Sequence, residues 1–149
     1  MKKSRHSFLK SQGYTSIRLK KTSTNHYQMV AKINNVKGLF ILDTGASNSC
    51  ADLTQLDKFQ LIPQTSEIKA SSATDLMQET KISKKNKLNI GKWENKSCSL
   101  VLFDLNHINT ALNEREVQMV DGIIGADTLK KAKAIIDYES NKLYLKIKI

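Results

Sequence analysis

The chain has 149 residues, 40% of them hydrophobic and 26% charged, which suits one domain with a modest core and is too short for a two-lobed enzyme. No apolar run approaches the roughly 18–20 residues of a membrane span. The basic start "MKKSRHSFLKSQGY" has no apolar stretch behind it, so no secretory signal is expected.

The formal net charge of +10 raises nucleic acid as a partner. The lysines are spread along the chain, however, and several fall in turns such as "ISKKNKLNIG", where a solvated charge needs no ligand. The chain has no aromatic-basic interleaving, helix-turn-helix or zinc-module pattern, which argues against specific nucleic-acid binding. Cys50 and Cys98 have neither metal-ligand spacing nor the number for a disulfide framework. Reduced thiols and a cytoplasmic protein are expected, with no membrane partner, metal or organic cofactor.

Residues 1–13 read as a basic, flexible tail ahead of one domain over 14–149. From there the apolar period is mostly two, as in half-buried strands: "TSIRLKKTS" (15–23) and "HYQMVAKIN" (26–34), then a turn over 34–38. "VKGLFILD" is apolar on successive positions and reads as a strand buried on both faces. "CADLTQLDKFQL" (50–61) reads as a short helix closed by Pro63, the only proline. Two short strands are expected around a small polar tip within 66–82, and a second hairpin over 86–105. An irregular connection with a helical turn follows over 106–116. The last stretch predicts a short strand ending at Gly125, a helix from about Asp127 to Lys133, and a hairpin over "DYESNK". Together these give a mainly β fold, a small closed or partly closed barrel with one short C-terminal helix.

The stretch "LFILDTGASNS" (39–49) carries the chemistry. An apolar strand delivers Asp43 into a sharp turn. A plain surface turn uses the same residue types. A phosphate-binding hairpin of the sugar-kinase kind also ends a strand in Asp-x-Gly, but that fold needs two α/β lobes and many more residues. The third reading is an aspartic protease loop. Cys50, just past the loop, reads as a small buried hydrophobe without a histidine to activate it. His6, His26 and His107 form no metal set, and Trp93 reads as turn packing.

"FILDTGAS" resembles the active-site strand and loop of the retropepsin-like aspartic proteases, the single-lobed relatives of pepsin. The second half of their pattern, two hydrophobic residues and a glycine, is matched by Ile123, Ile124 and Gly125, about 80 residues after Asp43. The stretch "VDGIIGADTLKKAKAIIDY" is similar to bacterial-type members. The resemblance spans residues 15–149 and implies an aspartic endopeptidase with Asp43 as the catalytic acid/base. Thr44, Gly45 and Ala46 would shape the loop, with the Thr44 hydroxyl crossing to a partner loop. Gly45 would adopt backbone angles closed to other residues. Ile123, Ile124 and Gly125 would support the loop from behind. A single Asp-Thr-Gly per chain implies a homodimer with one Asp43 from each subunit, acting on a peptide or protein substrate. The segments "KAIIDY" and "KLYLKIKI" are candidates for the interface sheet.

Viral members carry an Asp two positions after the motif glycine and an Arg after the second glycine. Here those positions hold Ser47 and Ala126, so a different, neutral contact is expected to brace the loop. The flap is assigned to "KASSATDLM" (69–77), where Ala70, Ser71 and Ser72 are small enough to approach a peptide backbone. The alternative reading is a dimeric peptide- or protein-binding module of the same fold without catalysis.

Overall fold

The computed structural model describes residues 4–71 and 77–147. Strand β3 (Tyr27–Ile33) buries Met29, Ala31 and Ile33 and exposes Val30 and Lys32, the alternation of a half-buried strand. It turns through Asn34 and Asn35, both at positive φ (51° and 69°), the geometry of a tight right-twisting hairpin. The chain returns as β4 (Val36–Leu42), antiparallel to β3. Asn34 also ties this corner to the far side of the barrel, donating to the Phe59 carbonyl and accepting from the Lys87 amide.

Four further strands close the barrel. β5 (Cys50–Asp52), β7 (Met77–Ile90) and β8 (Trp93–Phe103) join β9 (Gly122–Ile124) in a sheet whose order runs β3-β4-β9-β5-β8-β7. β7 then pairs back onto β3 at Lys32↔Asn89 and Ile33↔Leu88, which removes the free edges. Phe40, Ala51, Leu100, Leu102 and Ile124 point inward and form the main core with Met29, Ile33, Leu88 and Ile90. A second, smaller cluster of Ile41, Cys50, Val101, Leu112, Val120 and Ile123 lies on the opposite strand faces. That explains the unbroken apolar run of β4 from Leu39 to Leu42: each of its faces meets a different core. Outside the ring, β2 (Lys20–Lys21) extends the sheet beyond β3, and β6 (Gln64–Ser71) pairs with β7.

A second sheet has the order β1-β11-β10, from β1 (Tyr14–Arg18), β10 (Ile135–Asp137) and β11 (Lys142–Lys146). Leu143 and Leu145 of β11 enter the main core, so this sheet is fastened to the barrel. Among the described residues its strand β10 has one neighbour only, with Ile135 and the following Tyr138 exposed.

The helices are more numerous than the sequence reading expected. Residues 5–11, read as part of a flexible tail, form α1 (Arg5–Ser11), capped by the Ser4 hydroxyl accepting from the Ser7 amide. It buries no residue of its own. Arg5 bonds Asp137 and Glu139, and His6 Nδ1 lies 3.0 Å from the Tyr144 hydroxyl. No apolar stripe marks such a helix, because its partners are polar groups more than a hundred residues away. The segment read as one helix over 50–61 opens instead as β5, since Cys50 and Ala51 pair with β8 and β9. Its helical part is a 3₁₀ turn and α2 (Leu56–Phe59). α3 (Asn106–Glu114) occupies the expected irregular connection, with Leu112 buried in the smaller cluster. α4 (Ala126–Lys131) is the helix after Gly125. None of the described helices is long and apolar enough to cross a membrane.

Gly122 is where strands approach most closely: a Cβ there would stand 2.2 Å from the Cys50 carbonyl oxygen and 2.8 Å from the Phe40 ring. The obstacle is backbone on one side and core aromatic on the other, so neither side gives easily. Gly122→Ala is expected to destabilise the chain by about 2–3 kcal/mol, seen in urea unfolding as a lower midpoint at unchanged slope.

Candidate active site

β9 lies between β4, to which it is parallel, and β5, to which it is antiparallel. To pass from β4 to β5 the chain must climb over the end of β9, and residues 43–49 make that crossing. The Asp43 amide donates to the Ile124 carbonyl at 3.0 Å, the last rung between the strands. Ladder bonding then stops and the Asp43 side chain is left exposed at the strand end. Its Oδ1 accepts from the Gly45 amide at 2.9 Å, and its carbonyl accepts from the Ala46 amide at 3.2 Å. The carboxylate is oriented by its own turn while its second oxygen stays free of partners among the described residues.

Gly45 earns its place by space, not by unusual backbone angles. It is not among the residues at positive φ, which corrects the expectation drawn from its conformational freedom. A Cβ would sit 3.3 Å from Asp43 Oδ1, close enough to shift the carboxylate by a few tenths of an ångström. Thr44 is exposed, and its hydroxyl has no hydrogen-bond partner among the described residues. Ala46 is half-buried against the smaller cluster, and its carbonyl accepts from the Ala126 amide at 2.7 Å. Behind the loop, Ile123 pairs with Ile41 and Cys50, and Ile124 with Leu42. Gly125 faces the loop so closely that a Cβ would lie 2.6 Å from the Ala46 carbonyl oxygen and 2.9 Å from that of Asn48.

The brace between loop and helix is a network the sequence reading did not identify. Ser49 is fully buried, and its hydroxyl accepts from the Gly125 amide at 2.9 Å while lying 2.8 Å from Asp127 Oδ1 and from Thr128 Oγ1. The same Asp127 oxygen accepts from the Ser49 and Thr128 amides, each at 2.8 Å. The side chains of Ser47 and Ala126 take no part in it. The contact therefore contains one carboxylate, held by neutral donors and without a cationic partner among the described residues. Asp127 was read from sequence as a helix-start residue, which accounts for only its bond to Thr128. The link to Ser49 spans 78 positions and carries no local pattern.

Cys50 begins β5 and is buried; desolvation, reinforced by the nearby charges of Asp127 and Asp43, pushes its thiol up to about 12. It is a packing residue, not a nucleophile. Cys98 is likewise buried, and both are free thiols. Trp93 is buried in the main core at the head of β8. Among the described residues no group of His, Cys, Asp or Glu is arranged to hold a metal ion. Of the flap residues, Ala70 and Ser71 end β6, paired with Gln78 and Met77 of β7, and Ser72 lies outside the described residues.

If Ser49 and Asp127 act as one unit, truncating either removes the benefit of the other. Ser49→Ala, which strands the Gly125 amide, is expected to cost about 1–3 kcal/mol. A double-mutant cycle with Asp127→Ala, read by urea unfolding, should show coupling of at least about 0.5 kcal/mol; additive losses would separate the two residues.

The sequence profile of the aspartyl protease family matches residues 29–128, from β3 into the first turn of α4. No curated protein matches the chain. Among solved structures, the fold is similar to a retropepsin-like aspartic protease from Rickettsia conorii, at 22% identity and a TM-score of 0.58, covering 89% of this chain and 91% of that one. It is also similar to the retroviral protease-like domain of Ddi1 from Leishmania major, at 18% identity and 0.53, covering 81% and 88%. The EIAV protease, solved with the inhibitor HBY-793, aligns at 12% identity and 0.57, covering 79% and 98%. With the motif loop, the strand behind it and the closed barrel in one chain, this protein belongs to the aspartyl protease family and has the retropepsin-like fold.

Proposed function

We propose that the chain is an aspartic endopeptidase that works as a homodimer, with Asp43 of each subunit at the two-fold axis. The observation that carries this reading is the exposed Asp43 carboxylate, fixed by the Gly45 amide at the end of a strand, in a chain with a single Asp-Thr-Gly. The turn uses one oxygen of that carboxylate, and the other has no partner among the described residues. Two such groups brought together cannot both ionise readily, so they share one proton. The ionised member takes a proton from a water whose oxygen attacks the scissile carbonyl carbon. The protonated member donates to the carbonyl oxygen as charge develops on it. Collapse of the tetrahedral species breaks the C–N bond, and the amine leaves with the proton taken from water. No covalent enzyme intermediate forms.

Two further features support the pairing. The Thr44 hydroxyl is exposed beside Asp43 and available to a facing loop. β10 has an edge unpaired among the described residues, flanked by the exposed Ile135 and Tyr138, on which a second copy can continue the sheet. The segment around Ala70, Ser71 and Ser72 is assigned to the flap, closing over an extended peptide. The two free thiols fit a cytoplasmic setting.

Purified protein should cleave an unstructured peptide mixture between about pH 4 and 7, read by mass spectrometry, with specific activity rising with protein concentration. Asp43→Asn should lower the rate at least about 100-fold. Equal inertness of wild type and variant, with the wild type shown to be dimeric, would overturn the peptidase reading in favour of a binding module.

A further inference from the structure

A groove of about 530 Å³ opens beside the catalytic loop, lined among others by Asp43, Lys21, Asn25, His26, Tyr27 and Tyr138. Its walls come from distant parts of the chain. Lys21 ends β2, and His26 closes the turn into β3. Tyr27 and Tyr138 stand together with ring centroids 5.7 Å apart. Among the described residues lining it, Asp43 is the only acidic one.

The turn that presents the cationic side is tightly fixed. The Thr22 amide donates to the His26 carbonyl at 2.8 Å, and the His26 amide donates to Thr22 Oγ1 at 3.1 Å. Thr24 Oγ1 lies 2.8 Å from both Thr22 Oγ1 and His26 Nδ1. The imidazole is thus anchored through Nδ1, and Nε2 remains without a partner among the described residues. Lys21 is exposed and forms no ion pair among the described residues, unlike Lys58 and Lys87, which are engaged with Asp121 and Glu94. The Lys21 side chain, a held imidazole and the exposed Asn25 therefore face one groove within reach of the catalytic carboxylate. The net charge of +10 adds a long-range field that draws acidic polypeptides.

We propose that this groove receives an acidic side chain of the substrate, so that the enzyme selects peptides with Asp or Glu close to the scissile bond and Lys21 as the charge that reads it. The inference rests on the endopeptidase reading for the meaning of "substrate", but its test does not need turnover. A rigid turn loses little freedom on binding, so the charge it carries works as selectivity. Solvent exposure limits the effect to that of one partly screened charge pair.

The test uses the full chain carrying Asp43→Asn, which binds without cutting, and three labelled pools of unstructured peptides. The pools share every position except a central pair drawn from Asp and Glu, from Asn and Gln, or from Lys and Arg. Anisotropy titrations should show the acidic pool binding about tenfold more tightly than the neutral one, an advantage that shrinks as salt is added. Lys21→Gln on the same background should abolish the advantage, and Lys21→Glu should turn it toward the basic pool. Equal affinity for acidic and neutral pools overturns the assignment, as does an acidic preference that survives Lys21→Glu. Pools that bind alike while the Lys21 variants change the sedimentation of the dimer also overturn it, by giving the groove to the partner subunit. Wild-type cleavage of the same pools is scored separately. Acid-selective binding without cleavage would remove the endopeptidase reading and leave the groove's selectivity standing.

Discussion

The architecture depends on one constraint: β9 is threaded between β4 and β5. Two strands that follow each other in sequence are held apart by a third that arrives some seventy residues later. The connection between them cannot lie in the sheet and must rise over the end of β9, which places Asp43 at a strand terminus with its side chain outside both cores. Close approach is needed at both ends of the crossing. Gly122 permits it against the Cys50 carbonyl, and Gly125 against the Ala46 and Asn48 carbonyls. A methyl group at either position meets backbone, which a rotamer change cannot move aside. The exposed carboxylate is thus a product of topology, and the short turn through Gly45 fixes its direction.

A loop that climbs out of a sheet loses its ladder hydrogen bonds and needs other partners. Here Asp43 Oδ1, the Ala46 carbonyl and the Ser49 hydroxyl take over, and the last of these reaches both the Gly125 amide and the Asp127 carboxylate. Ser49 has no exposed surface, so its hydroxyl bonds are not replaced by water when they break. The donors in this network carry no net charge, and the Asp127 carboxylate is tolerated because it accepts three hydrogen bonds at an edge still open to solvent.

Much of this was legible in the residues. The alternation in 26–34, the double-sided apolar run in 36–43 and the Asn-Asn turn between them announce β3 and β4, because each side chain's environment is decided by local period. The Asp-Thr-Gly and Ile-Ile-Gly stretches mark the loop and its support. What was not legible depends on contacts made far along the chain. β5 looks helical until its pairing with β8 and β9 is known. α1 has no buried face and is held by Asp137, Glu139 and Tyr144. Ser49 and Asp127 look like ordinary loop and helix-start residues, and the groove of Lys21 and His26 is assembled from segments that share no motif with the loop.

A single subunit supplies one oriented carboxylate, and the proposed chemistry needs two. The account is tested most directly by adding Asp43→Asn protein to a fixed amount of wild type under conditions where subunits exchange and nearly all chains are paired. Random pairing predicts that an equal amount of the variant lowers the wild-type activity to about half, and a large excess suppresses it almost completely, as active chains are drawn into pairs with one working carboxylate. Wild-type activity that is indifferent to the variant at every ratio would show that each chain carries a whole site, and the shared-carboxylate account would be wrong.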